Sequence, residues 1–448
     1  MRFYYLKAIS ILAIFLSGCI ENPYLDRVSE RHKWLPHAPS ATGTAFTVNG
    51  IQQWYIIGND LTAGDDSLHV SVKAPDTTGS IDIWIDSTWH GEMSMLGDSF
   101  VAGIALESIA AGEYRLRLNA NEDDTAFAEF TFKRSHPLYV VVSNDWDHPH
   151  IDDGSFETNF LRAFELHSDF PEAKITHFVA PYAFTDTAIS AQRKDWFEQK
   201  LIDLRDTHGD ELGLHLHMYC HFVEYAGVRC TTDTNFEASD RPLPGYLMPS
   251  YLYTTKQYSR LLQVSDSVFA ACGLGKPTSF RAGGFWADSS TLQALVQHQF
   301  VVDASAANWN RLFGDELVID PVDVRNKEWF MSTWYALGDE SSPYYPSSSD
   351  ISVSGFPSMP ILEVPANALL VDFLDADAMK AVLETIWKDN AVLSEPKHFS
   401  IGYHPGSFDA QNYFEMQKMM LYIEHFLAAE DTGVLIYAHM SDLVKVWK

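Results

Sequence analysis

Two aspartates and three histidines have the types and the spacing that hold a metal ion. Asp145 and Asp147 lie two residues apart after an apolar run, and His215, His217 and His221 fall within seven residues. Carboxylate oxygens and imidazole nitrogens are common ligands of zinc and related divalent ions. Three histidines so close together indicate metal binding more strongly than a lone histidine does. One aspartate of such a pair can bind the ion while the other acts as a general base.

An arginine and a fourth histidine follow later apolar runs. Arg281 lies within a short β-rich segment, and His404 follows another one. A buried arginine needs an acidic partner, and Asp145, Asp147 or Asp303 could each supply it. The sequence alone does not choose among the three.

These residues lie at the ends of predicted strands. From about residue 137, short β-rich runs alternate with helical stretches, which predicts an α/β fold with seven or eight β–α units in a parallel barrel, complete or incomplete. Sites in such barrels collect at the C-terminal ends of the strands, so the polar residues there are expected to meet. The predicted strands are 138–143, 174–180, 211–217, 278–282, 300–303, 361–364, 398–403 and 433–437, and the predicted helices are 155–168, 190–207, 254–272, 288–298, 375–389 and 410–429.

A β-rich region precedes the barrel. Residues 42–134 alternate apolar and polar residues in short runs separated by turn residues, which predicts a small all-β sandwich of immunoglobulin type. It could act as a spacer, the reading that we favour, or bind carbohydrate.

The N-terminus has the layout of an export signal. Residues 1–18 contain a charged start, a short apolar run and small residues before Cys19, which resembles a bacterial lipoprotein signal. Cys19 would then be lipidated, and residues 19–41 would form a linker. We therefore expect an exported protein held at the bacterial cell envelope, at the outer or the plasma membrane, through its lipid alone. An ordinary signal peptide that contains a cysteine is the alternative.

Charge and cysteine content limit the partners and the compartment. The 448 residues include 31 Lys and Arg against 60 Asp and Glu, a net charge of −29, which argues against a nucleic-acid partner. Cys220 and Cys230 are ten residues apart and could close a disulfide in an oxidising compartment.

Together these motifs resemble the polysaccharide deacetylase family, the carbohydrate esterases that share the chitooligosaccharide-deacetylase domain. The resemblance covers a predicted domain at 137–448, and the order of motifs agrees: aspartates after the first strand, histidines after the third, an arginine loop after the fourth and a late histidine. It implies a deacetylase-type barrel and a metal-dependent hydrolase that removes N- or O-linked acetyl groups from a glycan.

The resemblance also implies a metal triad. Asp147 would be one ligand, completed either by His217 with His221, which keep the family's four-residue spacing, or by His215 with His217. Zinc suits these ligands best, and cobalt or nickel could take its place.

The remaining roles follow from the same resemblance. Asp145 would be the catalytic base, Arg281 would orient it, and His404 would be the general acid. The family's adjacent aspartates are replaced here by Asp145-Trp146-Asp147, so Asp145 and Asp147 could exchange roles. Two insertions, 222–253 and 338–360, would border the site.

The sequence is also compatible with two other functions. The barrel could belong to a glycan- or partner-binding lipoprotein that has lost catalysis, or to a metal hydrolase that cleaves another carbon–nitrogen bond.

Overall fold

The computed structural model of the protein describes residues 46–121, 123–147, 154–232, 244–246, 248–313 and 321–448. The predicted signal peptide at 1–18, the linker at 19–41 and the lipidation site Cys19 lie outside the described residues. Among the helices that the structure describes, none is both long and apolar enough to cross a lipid bilayer.

Two small sheets occupy the first part of the described chain. Their strands are β1 Thr47–Asn49, β2 Trp54–Ile56, β3 Ser67–Lys73, β4 Ile81–Ile85, β5 Thr88–Glu92, β6 Ser94–Leu96, β7 Ser99–Ala105, β8 Gly112–Ala120 and β9 Asp123–Ser135. One sheet has the order β1-β3-β7-β6 and the other β2-β9-β8-β4-β5, and all pairs are antiparallel except β2–β9.

The alternating sequence pattern gives these two sheets a shared core. Every second residue of β4 is buried, and Ile83 of β4 and Leu116 of β8 belong to the same apolar cluster as Leu68 and Val70 of β3. The region is therefore built from two sheets with one apolar core. Its assignment to the immunoglobulin type stays a prediction.

The second part is mixed α/β with a curled parallel sheet. Its strands are β10 Leu138–Trp146, β11 Ile175–Val179, β12 Glu211–Leu216, β13 Ser279–Ala282, β14 Val302–Asp303, β15 Leu362–Glu363, β16 Lys397–Tyr403 and β17 Leu435–Tyr437. Seven of them follow the order β15-β14-β13-β12-β11-β10-β16, and all neighbours are parallel. Each of the eight predicted strands is present.

The eighth strand does not extend this row. β17 pairs with residues 138–140 of β10, whereas β11 pairs with residues 142–146 of the same strand. β16 pairs along one edge of this nine-residue strand, so β11 and β17 share the opposite edge. The sheet is therefore a half-barrel of seven strands, with an eighth paired to β10, the strand next to its β16 edge.

A short stretch with a turn, residues 366–371, runs from the β14 side of the sheet to β16. Ala366 forms a bridge with Ala307, just after β14, and Leu370 forms one with Gly402 of β16. One short segment can contact both sides only if the sheet curls, so this stretch brings the strand ends around a common mouth.

Ten α-helical segments of the described chain flank the strands. Asp288 caps Ser289–Gln297 by accepting from the Thr291 amide, and Thr254 forms a capping box with Gln257. Four of the ten segments, at 182–185, 220–225, 309–313 and 321–333, were not predicted. The segments are Gly154–Asp169, Tyr182–Thr185, Ala191–Asp203, Cys220–Tyr225, Thr255–Ala271, Ser289–Gln297, Trp309–Phe313, Pro321–Thr333, Ala376–Ile386 and Ala410–Glu424.

Strand β10 separates two apolar layers. Val140 and Val142 pack in the same cluster as the helix residue Phe160, whereas Tyr139 and Val141 join side chains of β11, β14 and β15 inside the curl. Because side chains alternate along a strand, the inner face continues through residues 143 and 145.

Candidate metal centre and catalytic groups

Asp145 lies on the inner face of β10 and is held by Arg281 of β13. The guanidinium Nη1 donates to Asp145 Oδ1 at 2.7 Å, Nη2 donates to Ser143 Oγ at 3.0 Å, and Nε donates to the Ala304 carbonyl at 3.0 Å. Arg281 and Asp145 are both buried. Of the three candidate partners, the arginine therefore pairs with Asp145, which it fixes in one orientation.

Asp303 has other partners. Its Oδ1 accepts from the Ser305 hydroxyl at 2.6 Å. Burial raises the pKa of Asp303 to about 6, and burial together with the charge of Asp303 raises the pKa of Glu363 well above its usual range. Two neighbouring buried carboxylates cannot both be charged at low cost, so the pair favours a state in which one of them keeps its proton.

Asp147, His215 and His217 form one buried cluster. One ligand atom from each lies within 4.8 Å of the others. Nδ1 of His215 donates to the Arg281 carbonyl at 3.0 Å, and Nδ1 of His217 donates to the Tyr246 carbonyl at 2.8 Å. With Nδ1 protonated in each ring, both Nε2 atoms carry a lone pair, which is the tautomer that binds a metal.

Those two Nε2 atoms are buried and lack a hydrogen-bond partner among the described residues. The carboxylate oxygen Oδ2 of Asp147 lies 3.4 Å from His217 Nε2. Orphaned buried acceptors are costly, and a divalent cation would satisfy both at once. Burial also lowers the pKa of His215 to about 4, so its imidazole is neutral at pH 7. The residues present therefore fit a divalent metal ion.

His221 is not part of this cluster. Strand β12 ends at Leu216, and the chain turns into the helix Cys220–Tyr225, so His221 no longer follows the alternation of the strand. Its Nε2 lies 3.4 Å from the Tyr182 carbonyl oxygen instead. Of the two alternatives, the geometry brings together His215 and His217 and does not bring His221 to them.

Three tyrosines hold Asp147, and the sequence predicted this role for none of them, although Tyr246 lies in an insertion expected to border the site. The hydroxyls of Tyr182 and Tyr219 donate to its backbone carbonyl at 2.9 and 2.8 Å, and Tyr246 donates to its Oδ2 at 2.8 Å. None of them follows a periodic pattern that points to the site. Only the position of Tyr219, two residues after His217, lay close to a recognised motif.

His404 follows β16 and lies opposite Asp145. Its Nε2 is 4.0 Å from Asp145 Oδ2, and its Nδ1 donates to Asp372 Oδ2 at 3.0 Å. Asp372 directly follows the stretch 366–371. No strand was predicted there, so Asp372 had no strand-end signal and was missed. The His404 side chain is 22% exposed against 1% for Asp145, so the site opens on the side of the histidine.

Carboxylates keep this histidine charged. Burial disfavours the imidazolium, but Asp372, Asp147 and Asp145 outweigh that effect and raise the pKa of His404 to about 10. At neutral pH the ring therefore holds a proton on both nitrogens. Nδ1–H is engaged by Asp372, and Nε2–H faces the interior beside Asp145.

Cys220 and Cys230 form a disulfide, with Cα atoms 5.1 Å apart. Cys220 opens the short helix after β12, three residues beyond His217. The bond therefore ties the beginning of the insertion 222–253 to the segment that carries His215 and His217.

A second group of metal-ligand types, His167, His177 and Asp210, lies on the outer side of the sheet. Nε2 of both histidines lies within 2.8 Å of Asp210 Oδ2. The Trp146 indole, which can only donate, points at His177 Nδ1 at 3.3 Å, so the proton of that ring is on Nε2. This group is a closed hydrogen-bond network, because the His177 nitrogen nearest the carboxylate has no lone pair to offer.

No protein-family model and no curated protein sequence matches this chain. Solved structures do. A protein from Mycobacterium smegmatis assigned as a polysaccharide deacetylase is 14% identical with a TM-score of 0.41, and covers 69% of this chain and 89% of its own. A family 4 carbohydrate esterase from Streptomyces lividans is 10% identical with a TM-score of 0.32, covering 69% and 95%. A CE4 family pseudoenzyme from Bacillus anthracis is 8% identical with a TM-score of 0.33, covering 70% and 67%. The chain is thus similar to structures of the family that its motifs resemble.

Proposed function

We propose that this protein is a metal-dependent hydrolase that removes N- or O-linked acetyl groups from a glycan. The observation that carries the proposal is the placement of a carboxylate and a protonated imidazole beside the group of Asp147, His215 and His217. Asp145 and His404 approach to 4.0 Å, and each is held from behind, Asp145 by Arg281 and His404 by Asp372. A base and an acid on one side of a metal site are what hydrolysis of an acyl bond needs.

Asp147, His215 and His217 would hold the ion, and zinc suits a site of two imidazoles and one carboxylate, with cobalt or nickel as alternatives. When bound, such an ion would lower the pKa of a water molecule and polarise the acetyl carbonyl. Two imidazoles and one carboxylate leave coordination positions for water and substrate.

Asp145 would accept the proton of the attacking water. Its Oδ1 is engaged by Arg281, so Oδ2 is the oxygen that faces the reaction. His404 would donate its Nε2 proton to the departing amine or alcohol, while Asp372 holds the opposite nitrogen. Since the pKa of His404 is raised to about 10, the ring carries that proton under neutral conditions.

The acetylated glycan is the substrate that the sequence resemblance implies. The Phe373 ring is 39% exposed, and its centroid lies 6.1 Å from that of His404. An exposed aromatic ring beside the proposed acid supports a sugar substrate, because sugar rings stack on aromatic faces.

We also propose that the protein is exported and lipid-anchored at the bacterial cell envelope through Cys19. The N-terminal sequence motivates the proposal. The Cys220–Cys230 disulfide supports export, since disulfides persist in oxidising compartments outside the cytosol.

The function is tested by acetate release. Purified protein is loaded with Zn²⁺, Co²⁺ or Ni²⁺ and incubated with N-acetylated chitooligosaccharides and O-acetylated xylooligosaccharides. We expect acetate from at least one substrate class, its loss on chelation and its return when metal is added back. A folded, metal-loaded protein that releases no acetate from either class would contradict the proposal.

Asp372→Asn is expected to move the alkaline limb of the pH–rate profile to lower pH by roughly one to three units. The Asp372 carboxylate helps to raise the pKa of His404, so its neutralisation lets the imidazolium lose its proton at lower pH. Activity needs that proton and is lost as pH rises through the pKa of His404. The measurement is kcat/KM against pH with the acidic limb as internal reference, and an unchanged alkaline limb would exclude His404 as the acid.

A further inference from the structure

We propose that Tyr246, in the insertion 222–253, is a positioning residue for the metal centre. The inference rests on the metal site of the proposed function and extends it to a part of the chain outside the barrel. The insertion would then complete the metal centre, which the strands alone would leave loosely oriented.

Tyr246 contacts two of the three metal-binding side chains in three ways. Its hydroxyl donates to Asp147 Oδ2 at 2.8 Å, and its backbone carbonyl accepts from His217 Nδ1 at 2.8 Å. Its ring stacks on the His217 imidazole, with centroids 4.4 Å apart and planes inclined by 10°. The same residue therefore selects the metal-binding tautomer of His217, limits rotation of its ring and limits rotation of the Asp147 carboxylate.

The local backbone explains how Tyr246 reaches the site. The Cys220 amide donates to the Pro244 carbonyl at 2.9 Å, which joins the returning end of the insertion to the exit of β12. Gly245 has a φ of +92°, and a Cβ atom there would lie 2.1 Å from the Met218 carbonyl oxygen. Only glycine permits this close approach. The Cys220–Cys230 disulfide restrains the beginning of the same insertion.

Groups that orient metal ligands from outside the coordination sphere affect metal affinity. Hydrogen bonds to ligating imidazoles and carboxylates fix their orientation, and their removal commonly weakens binding about 10–100-fold. Tyr246 makes such bonds to a carboxylate and to an imidazole at once. Tyr182 and Tyr219 act on the backbone of Asp147 only, so they do not replace the contact with its carboxylate.

The test is Zn²⁺ affinity, measured by competition with a chromogenic chelator. Tyr246→Phe is expected to weaken binding by about 10-fold, towards the lower end of that range because the carbonyl and the stacked ring remain. Tyr413→Phe is the matched control. The Tyr413 hydroxyl donates to Asp169 Oδ2 at 2.9 Å, which is the same kind of contact at a distance from the proposed metal site. Tm of the metal-free proteins is measured alongside.

Gly245→Ala provides a second variant that keeps every side chain of the cluster. It should also weaken Zn²⁺ binding, and it carries the test if Tyr246→Phe does not fold. Equal affinity in wild type and both Tyr246→Phe and Gly245→Ala would overturn the inference, as would an equal loss in Tyr413→Phe. A wild-type protein that binds no Zn²⁺ would overturn it together with the metal site. A protein that binds Zn²⁺ but releases no acetate would contradict the proposed function and leave this inference standing.

Discussion

Asp145→Asn is expected to lower kcat/KM for acetate release about 10²–10⁴-fold while the protein keeps its metal. The amide oxygen of asparagine can still accept from Arg281 Nη1, so the geometry of the site is largely preserved. An amide cannot take a proton from water, so only the proposed base function is removed. Acetate release and metal content are measured on the same sample.

Asp303→Asn is the control for this prediction. It makes the same change to another buried carboxylate of the same sheet, one that hydrogen-bonds Ser305 and not Arg281. Its rate should stay near that of wild type. If Asp145→Asn instead loses its metal and Asp147→Asn keeps it, the two aspartates have exchanged roles. A wild-type rate in Asp145→Asn would remove the residue from the mechanism.

His215→Ala is expected to abolish stoichiometric metal binding, with a loss of affinity beyond the roughly 100-fold upper range for residues outside the coordination sphere. His215 Nε2 is one of two buried imidazole acceptors that face Asp147, and alanine offers no ligand in its place. Metal content by mass spectrometry and chelator competition measure the effect, and acetate release should fall with it.

His221→Ala is the matched substitution, because the same side chain is removed six residues away on the same segment. The variant should keep about one ion per chain, as His221 contacts the Tyr182 carbonyl and lies outside the cluster. The opposite result, with metal lost in His221→Ala and retained in His215→Ala, would restore the pairing of His217 with His221.

The strand-end residues could be predicted because each strand is marked by a local β-rich pattern, and because parallel strands place their C-terminal ends at one edge of the sheet. All eight parallel strands were recognised from short β-rich runs, and the convergence of their C-terminal ends brings Asp145, Asp147, Arg281 and His404 together. The Asp145-Trp146-Asp147 spacing also has a physical reason. β10 continues through Trp146, so the indole points outward while the flanking aspartates lie on the side of the metal cluster.

The choice between His215 and His221 could not be predicted, because it depends on where β12 ends. If the extended chain had continued, the later histidine could have joined the cluster. The helix that begins at Cys220 instead turns it away. The partner of Arg281 depends on how β13 and β10 face each other inside the curled sheet, and the residues next to Arg281 in sequence do not indicate this. Asp372 and Tyr246 lie in segments without periodicity, so their contacts with the site follow only from the tertiary structure.

The pairing of β17 with β10 has a consequence for how the chain folds. β10 carries Asp145 near its C-terminal end, yet its register with β17 joins Leu138 to Leu435, residues about 300 positions apart. β16, which pairs along the opposite edge of β10, is also distant in sequence, and only β11 is a near neighbour along the chain. Such long-range pairing requires closure of a very large loop before the contacts stabilise it, which slows folding. The strand that bears the proposed base therefore gains its full set of neighbours only after residues 435–437 have been synthesised.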